Sequence, residues 1–144
     1  MDKTYELNVA GVTRNLPVMR VAPDLSIASF VILGDCEIVV KSAPLLVEKL
    51  PEVDVLVTAE AKGIPLVHEI ARLLGHEHYI VVRKSVKPYM GDPLVDEVES
   101  ITTQKKQILA LDGHDAQAVK GKRIAIIDDV ISTGESINAV ERLI

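Results

Sequence analysis

A single cysteine, Cys36, stands among 144 residues, so no disulfide can close within the chain, and the residue reads as a partly buried thiol of a reducing compartment. The histidines do not suggest a metal centre. His76 and His78 flank Glu77 between a helix stop and a strand, with no third ligand at a recognisable spacing, while His68 falls inside a helix and His114 in a turn. No stretch reaches the roughly 18 apolar residues needed to cross a bilayer, and no N-terminal signal pattern is visible. Positive charge is in deficit, with 16 Lys plus Arg against 21 Asp plus Glu. The resulting net charge of −5 argues against a nonspecific nucleic-acid or membrane surface. There is no Walker A pattern and no Gly-x-Gly-x-x-Gly run, which removes the commonest other nucleotide folds. Repeats, low-complexity tracts and interdomain linkers are also missing. What remains is one cytoplasmic α/β domain over residues 1–144, whose 48% apolar content suffices for one core.

The most informative segment is 124–136, Ile-Ala-Ile-Ile-Asp-Asp-Val-Ile-Ser-Thr-Gly-Glu-Ser. Ile124 to Ile127 have the length and β-branched character of a strand buried on both faces, which puts Asp128 and Asp129 at its carboxyl end, where open α/β sheets bind ligands. Ser132, Thr133, Gly134 and Ser136 open a helical stretch bearing Ile137, Val140 and Ile144 on one face, so their N–H groups and hydroxyls converge at a helix start, an anion site. Carboxylates accept hydrogen bonds from a sugar diol, and the amide-lined turn takes a phosphate. The pattern therefore suits a phosphorylated pentose.

A second segment has the same logic. Val53 to Val57 reads as a buried strand, Thr58-Ala-Glu-Ala-Lys-Gly63 as a tight turn, and Ile64 to Leu74 as a helix with Val67, Ile70, Ala71 and Leu74 on one face, stopped by Gly75. Small residues in the turn expose successive N–H groups to an anion, and Lys62 adds a cation. Tyr79 to Val82 is a third strand, ending in the basic run Arg83-Lys84-Ser85-Val86-Lys87-Pro88. Leu94 to Ile101 and Gln107 to Leu111 then suit two hairpin strands joined through Thr102 to Lys106.

The strand, acid pair and Thr-Gly turn at 124–136 resemble the phosphoribosyl pyrophosphate (PRPP) signature of type I phosphoribosyltransferases. The 58–63 turn resembles that family's pyrophosphate loop, in the Glu-Ala-Arg-Gly form of adenine phosphoribosyltransferases, with Lys62 where those relatives carry arginine. The resemblance implies an α/β fold with a largely parallel sheet flanked by helices and an antiparallel hairpin hood. It implies that Asp128, Asp129 and Ile131, Ser132, Thr133, Gly134, Glu135 and Ser136 hold the ribose and 5′-phosphate, with Asp128 and Asp129 also catalytic. Pyrophosphate would fall to Glu60, Ala61, Lys62, Gly63, Arg83, Lys84 and Lys87. Mg²⁺ would be held mainly by PRPP, with only indirect contact from the acids. The implied reaction transfers ribose 5-phosphate from PRPP to a purine, adenine first and xanthine or hypoxanthine next, in purine salvage. The implied assembly is a homodimer.

Two other readings compete. A noncatalytic PRPP-binding regulator of the same fold would keep the acid pair, but would be expected to carry a basic DNA-binding extension. A receiver-type phosphoacceptor needs its acids near the first strand. For a general base the candidates are Asp129, Glu97 and Glu99, the last two also suiting an outward strand face. At the N-terminus Tyr5, Leu7 and Val9 suggest a strand turning at Ala10-Gly11 into Val12 to Val21. Ile27 to Leu33 reads as extended, and Ser42 caps a short helix ending at Leu50, before Pro51. Family cores usually continue with a further strand after the helix that begins near Glu135, so the chain is expected to be a trimmed form or part of a longer one.

Overall fold

The computed structural model describes residues 3–99 and 106–144. Alternating side chains build an N-terminal antiparallel sheet of β1 (Thr4–Val9), β2 (Val12–Ala22) and β3 (Leu25–Ala28), in that order. Its first turn places Ala10 and Gly11 at φ of 54° and 75°, the left-handed pair that a two-residue hairpin turn requires. The expected extended run over 27–33 is shorter than read. β3 stops at Ala28, and Asp35 N–H closes a turn on the Ile32 carbonyl at 3.0 Å.

Helix α1 (Cys36–Lys49) is the main departure from expectation, starting six residues before the Ser42 cap read from sequence. Asp35 is the actual cap, its carboxylate accepting from Ile38 N–H at 3.1 Å and from Arg14 at 2.7 Å. Pro44 lies inside the helix. Its ring is exposed, and burial of Ile38, Val39 and Ala43 outweighs the one backbone hydrogen bond a proline forgoes.

The central sheet is parallel, with β4 (Val55–Ala59) between β5 (Ile80–Val82) and β8 (Ile124–Ile126). β4 starts two residues later than expected and runs through Thr58 and Ala59, which the sequence reading assigned to the turn. β8 is half-buried rather than fully buried, and among the described residues it pairs only with β4, so its other edge is open. Helix α2 (Ile64–Leu74) matches its expected bounds and ends at Gly75, left-handed at φ 73°. Its buried face is Leu66, Val67, Ile70 and Ala71. Leu66, Val67 and Ile70 each contribute about 1.5–3 kcal/mol of burial free energy before ordering costs.

Neighbouring residues of β4 serve opposite faces. Leu56 packs with Ile38, Val39, Val67 and Ile70 beneath α1 and α2, whereas Val57 packs with Val82, Leu111, Val119 and Val140 on the other side. That second face is closed by the hairpin β6 (Leu94–Glu99) and β7 (Lys106–Leu111), by α3 (Gly113–Ala118), and by α4 (Glu135–Leu143). The hairpin base is fixed, since Arg83 and Ala110 exchange two backbone hydrogen bonds of 2.8 and 2.7 Å and Arg142 on α4 pairs with Asp96 at 2.6 Å. Of the strand expected to run to Ile101 and the connection expected over Thr102 to Lys106, residues 100–105 lie outside the described residues, and Lys106 already belongs to β7.

Candidate functional site

β4 and β8 end side by side, and this brings the two sequence motifs together. Parallel register sets Val57 opposite Ile126, and Ile127 N–H then donates to the Val57 carbonyl at 2.8 Å. Thr58, the one polar residue fully buried among those described, donates its hydroxyl to the Ile127 carbonyl at 2.7 Å. Asp128 and Asp129 therefore leave β8 beside the loop 59–63.

The acid pair is asymmetric. Asp128 Oδ1 accepts from the Asp129 N–H at 2.8 Å. Burial is the chief cause that pushes the Asp128 carboxyl up to about 6; the neighbouring Asp129 carboxyl adds to it, and the Lys62 charge acts in the opposite direction. Asp129 Oδ2 is buried with no hydrogen-bond partner among the described residues. An orphaned carboxylate oxygen at a cavity wall is an acceptor waiting for a donor or cation.

The 60–63 loop is braced from β5. The Glu60–Ala61 peptide is cis. Glu60 accepts from the Lys84 N–H at 2.6 Å and from Arg83 Nε at 3.0 Å. The Lys84 backbone bond, then Arg83, hold the Glu60 carboxyl below its ordinary range, and Lys87 contributes by charge. Arg83 also donates to the Tyr89 hydroxyl at 2.7 Å. Gly63, buried, caps α2 with no side-chain bond and leaves space for Thr58.

A cavity of about 530 Å³ joins these parts. Its wall takes Glu60, Ala61 and Lys62 from the β4 loop, Lys84 from the end of β5, and Asp128, Asp129 and Ser136 from the later motif. Other expected residues lie off this wall. Arg83 is committed to Glu60 and Tyr89, and Lys87 is in the β5–β6 loop. Ile131, Ser132, Thr133 and Glu135 are exposed around Gly134, whose φ of 85° starts α4 and whose carbonyl accepts from Asn138 N–H at 2.9 Å. Glu97 belongs to β6 and does not line this cavity. Glu99 ends the same strand.

Several wall residues escaped the sequence reading. Ser29 and Phe30 come from the irregular segment after β3, and Gln107 and Leu109 come from β7. Phe30 is the only phenylalanine of the chain, a signal available beforehand. A second, more apolar cavity of about 600 Å³ shares Phe30, Asp128, Asp129 and Val130, and is walled by Leu7 and Leu16 of the N-terminal sheet and Leu45 and Leu46 of α1. A polar, partly cationic compartment thus adjoins an apolar one, with the carboxylates between them. This division suits a ligand with an anionic end and a flat or apolar end.

The profile of the phosphoribosyl transferase domain matches residues 45–144. The chain is 41% identical over 95 residues to a hypoxanthine/guanine phosphoribosyltransferase of Methanocaldococcus sp. (strain FS406-22), a match covering 63% of this chain and 44% of that protein. It is 39% identical over 88 residues to the protein of the same description from Methanotorris igneus, covering 61% and 44%. These matches span less than half the length of those relatives. Among solved structures, adenine phosphoribosyltransferase from Thermoanaerobacter pseudethanolicus superposes with a TM-score of 0.70 at 24% identity, over 89% of this chain and 74% of that one. The Saccharomyces cerevisiae enzyme, complexed with an imino-altritol bisphosphate and adenine, gives 0.69 at 22% identity with the same coverage. At those identities the likeness establishes the fold.

Proposed function

The chain belongs to the phosphoribosyl transferase domain family, and from that membership we propose that it transfers ribose 5-phosphate from PRPP to a purine base, releasing pyrophosphate. The observation that carries the reading is the single cavity walled by both Asp128–Asp129 and Glu60–Ala61–Lys62. Displacement at the anomeric carbon builds positive charge on the ribose ring, and the acid pair favours that charge while its oxygens take the ring hydroxyls. Lys62 and Lys84 bring positive charge to the pyrophosphate end, and the exposed N–H groups at the α4 start face the 5′-phosphate.

The residues fit Mg²⁺ arriving on PRPP. Asp129 Oδ2, buried without a partner, is an oxygen acceptor of the kind that holds a hydrated divalent ion through its water, and Asp128 stands beside it. Such an ion supplies charge neutralisation for the departing pyrophosphate.

For the base, hypoxanthine or guanine takes first place, because the relatives described as hypoxanthine/guanine phosphoribosyltransferases share 41% and 39% identity over the matched segment. Adenine is the second reading, carried by the Glu60-Ala-Lys-Gly63 loop. The proposed assembly is a homodimer, and Met19, Val21, Leu25 and Ile27, all exposed on β2 and β3, offer an apolar face for it. No described helix is long and apolar enough to cross a membrane.

Incubating the protein with Mg-PRPP and labelled hypoxanthine, guanine, xanthine and adenine should give a nucleotide with one or two of them. No product from any base, together with a PRPP-induced rise in melting temperature, would replace the enzyme by a PRPP-binding regulator.

A further inference from the structure

Thr58 is an unusual strand residue. Its side chain is completely buried at the active end of β4, yet it lines neither ligand cavity described above. Its hydroxyl donates at 2.7 Å to the Ile127 carbonyl, across 69 positions of sequence, with the adjacent Ala59 carbonyl a longer contact at 3.4 Å. Ile127 is the residue immediately before the acid pair. The same hydroxyl also fills the space at Gly63, where an added Cβ would lie 2.3 Å from Thr58 Oγ1, 3.3 Å from the Ile127 carbonyl oxygen and 3.6 Å from the Asp128 Cα. One oxygen atom thus touches the strand end that aims the carboxylates and the last residue of the pyrophosphate loop. Gly63 is itself at φ −73°, a conformation open to any residue, so its lack of a side chain answers to this close approach and not to backbone geometry.

We propose that Thr58 is a positioning residue that locks the 60–63 loop and the Asp128–Asp129 pair into one spacing, so that both ends of the ligand find their sites preformed. The inference rests on the PRPP reading given above. Threonine suits the role because its β-branched carbon is rigid in a strand and its hydroxyl can reach the neighbouring strand's carbonyl. Valine has the same shape but no donor, and would leave the buried carbonyl without this partner. The carboxylates would then be free to rotate away from the spacing at which a diol and a diphosphate bind together.

The test compares wild type with Thr58→Val, Thr58→Ser and a distant core control, Val119→Ala, which matches a loss of thermal stability without touching the site. Calorimetric titration with ribose 5-phosphate and with Mg-PRPP reads the effect. Thr58→Val should weaken Mg-PRPP binding about tenfold or more, the scale set by an orphaned buried acceptor and a displaced binding group. Thr58→Ser should restore it to within about threefold, because the donor is kept. Val119→Ala, at equal or lower melting temperature, should bind as wild type does. Wild-type affinity in a folded Thr58→Val protein, or an equal loss in Val119→Ala, would overturn the positioning role. Failure of the wild type itself to bind either ligand would instead refute the PRPP reading.

Discussion

Acidification should uncouple ligand binding from folding in opposite directions, because one carboxyl of the proposed site titrates far from its ordinary range. Asp128 is pushed up to about 6 from 3.8, chiefly by burial. The folded protein therefore holds this proton more tightly than the unfolded chain does, so the contribution of Asp128 to the stability of the free protein falls as pH rises from about 4 to about 6. A carboxyl that is half exposed is partly screened, so we expect about 1 kcal/mol of change, or roughly 2–4 °C in melting temperature for a chain of this size. Binding has the opposite slope. Ring hydroxyls donate to an ionised carboxylate, and at about pH 5 only about one Asp128 in ten is ionised, so Mg-PRPP affinity should drop about tenfold from its plateau above about pH 7. The phosphates of the ligand gain protons over the same range, which is why the assay must pair wild type with Asp128→Asn. Calorimetric titrations from about pH 5 to 8 and thermal melts of the free protein supply both slopes. The variant should retain only the ligand's own pH dependence in binding, and the stability difference between wild type and variant should shrink by about 1 kcal/mol between about pH 4 and 6, while the depressed carboxyls such as Glu60 act alike in both proteins. Identical pH profiles in the two proteins would refute the claim that Asp128 faces the diol.

Other perturbations follow from the same geometry. Gly63→Ala places a Cβ 2.3 Å from Thr58 Oγ1, and overpacking of this kind should cost about 1–3 kcal/mol by thermal melt. Combined with Thr58→Ala, the loss should be clearly smaller than the sum of the two single losses, and strictly additive losses would place the strain elsewhere. Lys62→Ala should weaken inorganic pyrophosphate binding several-fold more than ribose 5-phosphate binding, since it removes a cation from only one end of the cavity; equal losses would take that side chain out of the pyrophosphate end.

The sequence was most legible where local chemistry and burial pattern agree. Helix α2 follows from apolar residues at helical spacing and a left-handed Gly75, and the acid pair from an apolar run that ends in two carboxylates. The start of helix α1 is hidden because Ser42 imitates a cap; the true cap, Asp35, is identified by its tertiary partner Arg14, 21 residues away. Thr58 looked like a turn residue because its hydroxyl is polar, and only the approach of Ile127 explains its burial. Phe30, Gln107 and Leu109 belong to three-dimensional packing of separate segments around one cavity, which no spacing along the chain encodes. Glu60 is expected in the pyrophosphate loop and lines the cavity, but the two hydrogen bonds its carboxylate accepts from the Arg83–Lys84 corner join residues 23 and 24 positions apart, which the loop motif alone does not encode.

The most direct measurement is a crystal structure of this chain grown with Mg-PRPP. The account predicts ribose hydroxyls against the Asp128 and Asp129 carboxylates, the 5′-phosphate at the Ser132–Ser136 turn and pyrophosphate beside Lys62. Density for the ligand elsewhere, or an acid pair turned away from the sugar, would contradict it.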